Sequence, residues 1–164
     1  MSADLLNARV LIVDDDRDTL EIMSVILDAH GAQTMVAATA AEGLTALRAL
    51  RPEVLLSDIS LPDEDGYDLV RRIRALPAEE GGHTPAVAVS AHVYTTDRER
   101  AFDAGFQAFL GKPITPRALV ECVKTIVERG RAHQERRRGS RRATPSPPHV
   151  VSDRRMFERR QPIC

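Results

Sequence analysis

The sequence predicts an α/β fold, a doubly wound (βα)5 parallel sheet, followed by a disordered C-terminal tail. Three observations predict it. Short apolar runs recur five times, at intervals of roughly 20–25 residues. Segments of helical periodicity fill the gaps between them. The apolar pattern then stops after Arg129. Strand–helix alternation implies right-handed crossovers and a parallel sheet covered by helices on both faces.

The five runs are Val10–Val13, Thr34–Ala37, Val54–Leu56, Ala86–Val89 and Phe106–Leu110. Each has strand length and the Val, Ile, Leu or Phe content that strands buried on both faces need. Between them, Ala40, Leu44 and Leu47 follow an i, i+4, i+7 spacing, as do Leu69, Ile73 and Leu76. Leu119, Val120, Val123, Ile126 and Val127 form a fuller stripe on the last helix. Gly31 fits the end of the first helix. Thr39 with Glu42, and Thr96 with Glu99, fit capping boxes, in which hydroxyl and carboxylate satisfy exposed amides reciprocally. Thr115 before Pro116 reads as N-cap and first helical residue.

The chain has 164 residues, 43% hydrophobic and 29% charged, enough for one core and a modest appendage. Its net charge of −1 hides a split. Residues 1–128 hold 12 basic and 21 acidic side chains; residues 129–164 hold 11 arginines and three acids. The domain boundary therefore falls between 1–129 and 130–164, and the second segment has too few apolar residues to offset its ordering entropy. No run approaches a membrane span, and the N-terminus lacks the layout of a secretory signal. Cys122 and Cys164 do not make a disulfide framework. Together these predict a cytoplasmic protein without membrane insertion. Of the 23 basic residues only Lys112 and Lys124 are lysines, so a lysine in this chain calls for a reason.

In an open parallel sheet, ligands bind beyond the carboxyl ends of the strands. Asp14, Asp15 and Asp16 follow the first run, Asp58 the third, Ser90 the fourth and Lys112 the fifth. The topology thus brings carboxylates, a hydroxyl and a primary amine to one sheet edge. Crowded carboxylates repel one another, and an oxygen-only site favours a hard divalent cation such as Mg²⁺. Phosphoryl transfer needs little beyond positioning, charge neutralisation and an in-line nucleophile. The residues suit that chemistry, with Lys112 and the cation to neutralise charge, Ser90 to donate a hydrogen bond, and Asp58 to attack.

The segments VLIVDDD, VLLSDISLPDEDGYDLVRRIR, AVAVSAH and FLGKPI, in that order, resemble the response-regulator receiver domain of two-component signalling. The resemblance spans roughly residues 8–128 and implies a flavodoxin-like sheet of strand order 2-1-3-4-5. It also implies that Asp58 is the phosphoacceptor and that Asp14 and Asp15 form an acidic pocket, with Asp15 the more direct Mg²⁺ ligand. Asp58 and the backbone carbonyl of Ser60 would complete the metal site. Ser90 would be the switch hydroxyl, Lys112 the phosphate-contacting lysine, and Pro113 would follow a cis bond. A compact ammonium suits that pocket where a planar guanidinium does not. The switch aromatic, often Tyr in this family, is Phe109, and the switch hydroxyl is Ser where Thr is commoner. Ser60 and His92 sit where the family modulates loss of the phosphoryl group. The implied partners are a sensor histidine kinase or phosphotransfer protein upstream and a protein partner downstream, reached through the fourth helix, fifth strand and fifth helix. The chemistry would be self-catalysed phosphoryl transfer and slow autodephosphorylation, serving a switch with no attached effector domain.

Other readings of the same residues are weaker. Asp16-x-Asp18-Thr19 resembles the first motif of haloacid-dehalogenase phosphatases, but it falls past the strand end, and the acidic pair comes first in the chain instead of last. Asp16 itself reads as a helix cap. Asp63-Glu64-Asp65-Gly66 lacks the other ligands of a calcium loop and reads as the turn into the third helix, with Gly66 supplying an unusual conformation. His30, His83, His133 and His149 have no metal-ligand spacing and read as solvated loop residues. The basic tail offers nucleic acid or an acidic partner a surface, although charge blocks are often simply solvated.

Overall fold

The computed structural model describes residues 3–92 and 94–142. The strands are β1 (Arg9–Val13), β2 (Gln33–Ala37), β3 (Val54–Asp58), β4 (Ala86–Ser90) and β5 (Ala108–Gly111). The helices are α1 (Arg17–Ala29), α2 (Ala40–Leu50), α3 (Gly66–Arg74), α4 (Thr95–Ala104) and α5 (Pro116–Arg142). The strands pair in parallel in the order β2-β1-β3-β4-β5. This is the doubly wound sheet the sequence predicts.

Strand alternation splits the core in two. Val10 and Ile12 of β1, Val54 and Leu56 of β3, and Val87 and Val89 of β4 pack with Leu20, Met23 and Leu27 of α1 and Leu119 and Val123 of α5. Leu11 and Val13, Leu55, and Ala86 and Ala88 face the other way, against Leu47 of α2, Leu69, Val70 and Ile73 of α3, and Ala101 of α4. The three central strands are buried on both faces, which is why their sequences read as continuous apolar runs. The edge strand β2 departs from that expectation. Met35 and Val36 are exposed, because β2 has a neighbour on one side only. Phe106 lies ahead of β5, buried in the turn edge-on to Tyr67 (centroids 6.5 Å apart).

The helix ends show which local signals govern. Asp16 caps α1, accepting from the Asp18 amide (3.2 Å) and the Thr19 hydroxyl (2.7 Å), and Gly31 follows at φ +93. Thr39 accepts from the Glu42 amide, while the Glu42 carboxylate reaches back to the Ala38 amide (3.0 Å), one residue ahead of the usual box. Thr115 accepts from Ala118 at the start of α5. The expected box at Thr96 and Glu99 does not form. Asp97 and Arg98 already bond to the Tyr94 carbonyl, so α4 begins at Thr95 without a side-chain cap. That helix buries only Ala101 and Ala104. It is further held by the Tyr67 hydroxyl on the Asp97 carbonyl (3.4 Å) and by Arg100 over the Tyr67 ring (4.5 Å).

Packing divides the chain at Gly130 and Arg131. Backbone order nonetheless runs on: α5 continues to Arg142, past the point where the sequence predicts disorder to begin. The stretch after Arg129 lacks an apolar stripe but is rich in Arg, a strong helix former, and the first proline beyond Pro116 is Pro145. His133 is therefore helical, and His30 is the C-cap of α1, its Nδ1 2.8 Å from the Ile26 carbonyl. His83 is exposed in a turn. Residues 143–164, with His149, Cys164 and the remaining arginines, lie outside the described residues. Cys122 is half-buried against the first core layer.

Candidate functional site

Strand register assembles the site. Val13 of β1 lies opposite Ser57 of β3, so the next residues, Asp14 and Asp58, come level at the carboxyl edge. Ser90, the last residue of β4, pairs with Gly111 of β5, and the Lys112 amide donates to the Ser90 carbonyl (2.8 Å). The Lys112–Pro113 bond is cis. The Lys112 ammonium lies 3.0 Å from Asp14 Oδ2 and 3.4 Å from Asp58 Oδ2. One oxygen each of Asp14, Asp15 and Asp58 lie within 4.8 Å of one another. Asp14 is 1% exposed and Asp58 8% exposed, whereas Asp15 is open to solvent.

The second oxygens of Asp14 and Asp58 each accept a backbone hydrogen bond. Asp14 Oδ1 accepts from the Asp16 amide (2.9 Å), and Asp58 Oδ1 from the Ser60 amide (3.2 Å). Burial and then the Asp14 charge push the Asp58 carboxyl above the ordinary aspartate range, against the opposing pull of Lys112. Burial disfavours the Lys112 ammonium, but the bond to Asp14 and the charges of Asp58 and Asp14 outweigh it and raise its pKa. Three carboxylates against one ammonium leave an excess of negative charge in an all-oxygen donor set. That composition fits a hard divalent cation, with Asp14, Asp15 and Asp58 as the side chains to hold it.

Of the residues singled out in the sequence, Asp14, Asp15, Asp58 and Lys112 thus come together. Ser90 sits 3% exposed at the neighbouring strand end, its Oγ accepting from the His92 amide (3.0 Å). That bond leaves the hydroxyl proton available to donate. Ser60 contacts Asp58 through its amide. Phe109, on β5 opposite Ala88, is half-buried against the second core layer with the Arg98 guanidinium 5.5 Å from its ring centroid.

Asp63 has a role the sequence does not disclose. Its carboxylate accepts from the Ala40 (2.9 Å) and Ala41 (3.1 Å) amides, capping α2 from more than twenty residues away. Those amides hold its pKa down. Asp65 makes the turn into α3 by accepting from the Asp68 amide (2.8 Å). Asp63 and Asp65 thereby tie down the loop that follows Asp58. Gly66 serves the same loop by close approach, and its φ is not positive, unlike that of Gly31. Its amide bonds to the Ile59 carbonyl (2.6 Å), and a Cβ there would press into the Asp58 carbonyl oxygen and come within 2.9 Å of the Ile59 Cα. Gly66→Ala is therefore expected to cost about 1–3 kcal/mol in denaturant titrations and to displace the Asp58 backbone. Unchanged stability in that variant would mean that the loop yields freely.

The model of the response regulator receiver domain matches residues 10–124. The chain belongs to that family. A crystal structure of a CheY-like receiver domain protein from Methanospirillum hungatei superposes with a TM-score of 0.71 at 30% identity, covering 77% of this chain and 98% of that one. An uncharacterized 14.6 kDa protein of Leptolyngbya boryana is 38% identical over 115 residues, 70% of this chain and 86% of its own length. The DNA-binding response regulator MtrA of Mycobacterium bovis is 33% identical over 126 residues, 77% of this chain. The receiver spans about half of MtrA, 53% of its length. No helix among the described residues is long and apolar enough to cross a membrane. A receiver domain is a phosphorylation-controlled signalling module, and the haloacid-dehalogenase reading falls with this assignment. Asp16 and Asp18 lie in the cap and first turn of α1, not at the strand end.

Proposed function

We propose that Asp58 accepts the phosphoryl group, from a sensor histidine kinase or phosphotransfer protein, and that Lys112, Ser90 and the acidic pocket serve that transfer. The observation that carries this reading is the Lys112 ammonium shared between Asp14 and Asp58 at the sheet edge. An Asp58 oxygen attacks phosphorus as the bond to the donor nitrogen or oxygen breaks; the donor departs with the bonding pair and takes up a proton. The product is an acyl phosphate on Asp58. In this reading Lys112 and the Ser90 hydroxyl receive its new oxygens. Asp14, Asp15, Asp58 and the Ser60 carbonyl would hold Mg²⁺, which would supply charge neutralisation for the dianionic group.

Asp58 phosphorylation places two charges or nearly so beside Lys112, drawing Lys112 and Ser90 toward the new oxygens. Ser90 ends β4, and α4, which follows it, buries only Ala101 and Ala104 among its described residues and touches Tyr67 and Phe109 through Asp97, Arg100 and Arg98. Phe109 is the neighbouring element on β5. These are the parts that shift, and a downstream protein reads them. The outcome is a switch with slow self-hydrolysis and no substrate turnover, acting in the cytoplasm.

A small acyl phosphate and a generic phosphate ester, each supplied with Mg²⁺, separate a switch from a turnover enzyme. At most one phosphoryl group per chain from the acyl phosphate, and no sustained release from the ester, is the expected result. Repeated turnover of the ester contradicts it. Asp15→Asn is expected to weaken Mg²⁺ binding at least tenfold by calorimetry and to raise the melting temperature without metal, since one crowded charge is gone. Unchanged affinity would remove Asp15 from the metal site.

A further inference from the structure

The helical segment from Arg131 to Arg142 carries six arginines against one glutamate. From 131 to 140 no residue is buried and all but Ala132 are exposed. At about 100° per residue, Arg136, Arg137, Arg138 and Arg131 are spread over an arc of about 220°, with Ser140, His133 and Gln134 interleaved. Glu135, Gly139 and Ala132 occupy the rest of the circumference. Charge is thus segregated, but the basic face is far wider than one flat contact needs.

We propose that this segment is a sequence-independent DNA-binding element that lies in the major groove of B-form duplex. A helix is roughly 10–12 Å across and the groove about 12 Å wide, so arginines on both flanks of so wide an arc meet both phosphate walls while the acidic face points outward. Other polyanions use the arc less well. A membrane surface is one-sided and rewards an apolar face, and Ala132 is the only apolar residue from 131 to 140. Single strands are gripped by stacking, and this stretch has no Phe, Tyr or Trp. The deep, narrow major groove of A-form RNA does not admit side chains. An acidic protein helix would engage a narrow stripe. The guanidinium fork suits phosphate oxygens bidentately. This inference stands apart from the assignment of Asp58, which the variants below leave in place.

The test is fluorescence anisotropy of the full chain on a short labelled DNA duplex, from about 50 to about 200 mM salt, beside Arg136→Gln/Arg137→Gln/Arg138→Gln. Glutamine keeps nearly the same helix propensity, and circular dichroism of both proteins confirms that the helix persists. The expected result is a dissociation constant on the order of 10⁻⁵ M that weakens tenfold or more over the salt range. The triple variant should bind at least tenfold more weakly at the low-salt end, with a logarithmic salt slope smaller by about 0.9 for each arginine that touched a phosphate. No duplex binding at low salt, equal binding by the helical triple variant, or tighter binding to polyglutamate or anionic vesicles than to duplex would each overturn the proposal. Acyl-phosphate labelling of the triple variant at the wild-type level is expected alongside, and it keeps a failure here distinct from a failure of the Asp58 assignment.

Discussion

Asp58→Asn is expected to lose phosphoryl labelling entirely, to background, with a small acyl phosphate and Mg²⁺. An amide oxygen is a poor nucleophile, and the neighbouring carboxylates do not replace it. Asp14 is engaged by Lys112 and the Asp16 amide and nearly sealed from solvent. Asp15 is exposed and has no hydrogen bond to orient it among the described residues. The same variant should melt at a higher temperature than the wild type at neutral pH without metal. The sign follows from the raised pKa of Asp58: its charged form is disfavoured in the fold, first by burial and then by Asp14. Ionised Asp58 therefore works against folding, and that cost fades as pH falls through its folded pKa. A neutral isostere removes it at every pH. The check is labelling by intact mass together with melting curves across pH. Full labelling of the variant, or a lower neutral-pH melting temperature, would contradict the assignment.

Lys112 is the second position of large effect. Lys112→Ala leaves Asp14 and Asp58 without their cation, and Asp14 is almost fully buried. Removing one partner of a buried pair costs more than the pair itself contributes. With 24% of the Lys112 side chain exposed, a loss of about 1–3 kcal/mol is expected, below the range for a fully dry pair. Lys112 has a raised folded pKa, so its contribution holds through neutral pH and disappears only as pH rises past the ordinary lysine range. Lys112→Arg separates charge from shape. The charge survives, but a planar fork cannot occupy a point that serves Asp14 at 3.0 Å and Asp58 at 3.4 Å together. The arginine variant should recover most of the stability yet fail to couple phosphorylation to the change in α4 and β5. Hydrogen exchange in those elements, with and without labelling, reads this directly. A wild-type exchange response would show that charge alone suffices.

How far the sequence reveals this molecule depends on the range of the interactions. β1, β3 and β4 are legible because central strands must be apolar on both faces, and the first or second residue after a run's last apolar position then falls at the ligand edge. That rule locates Asp14, Asp58, Ser90 and Lys112 without any knowledge of their mutual distances. The edge strand β2 breaks it, since Met35 and Val36, which point to opposite faces, are both exposed. Asp63 is silent in the sequence because its partners, Ala40 and Ala41, are distant in the chain and offer only backbone amides. Gly66 is visible as a glycine but misleads about its reason, since close approach to the Asp58 carbonyl exists only after α3 docks. The run of α5 to Arg142 escapes a search for apolar stripes because propensity, not burial, carries it. The missing Thr96 cap shows the converse: a perfect local motif yields when the preceding turn already closes on Tyr94.

The most direct measurement is to find the modified residue. Wild-type protein labelled by an acyl phosphate donor in Mg²⁺ is treated with borohydride, which reduces an acyl phosphate to an alcohol. Peptide mass spectrometry then locates the change. Reduction at Asp58 alone, dependent on Mg²⁺ and lost in Asp58→Asn, is the result predicted. Reduction at Asp14 or Asp15, or a stable label on a serine or histidine with Asp58 untouched, would contradict the account.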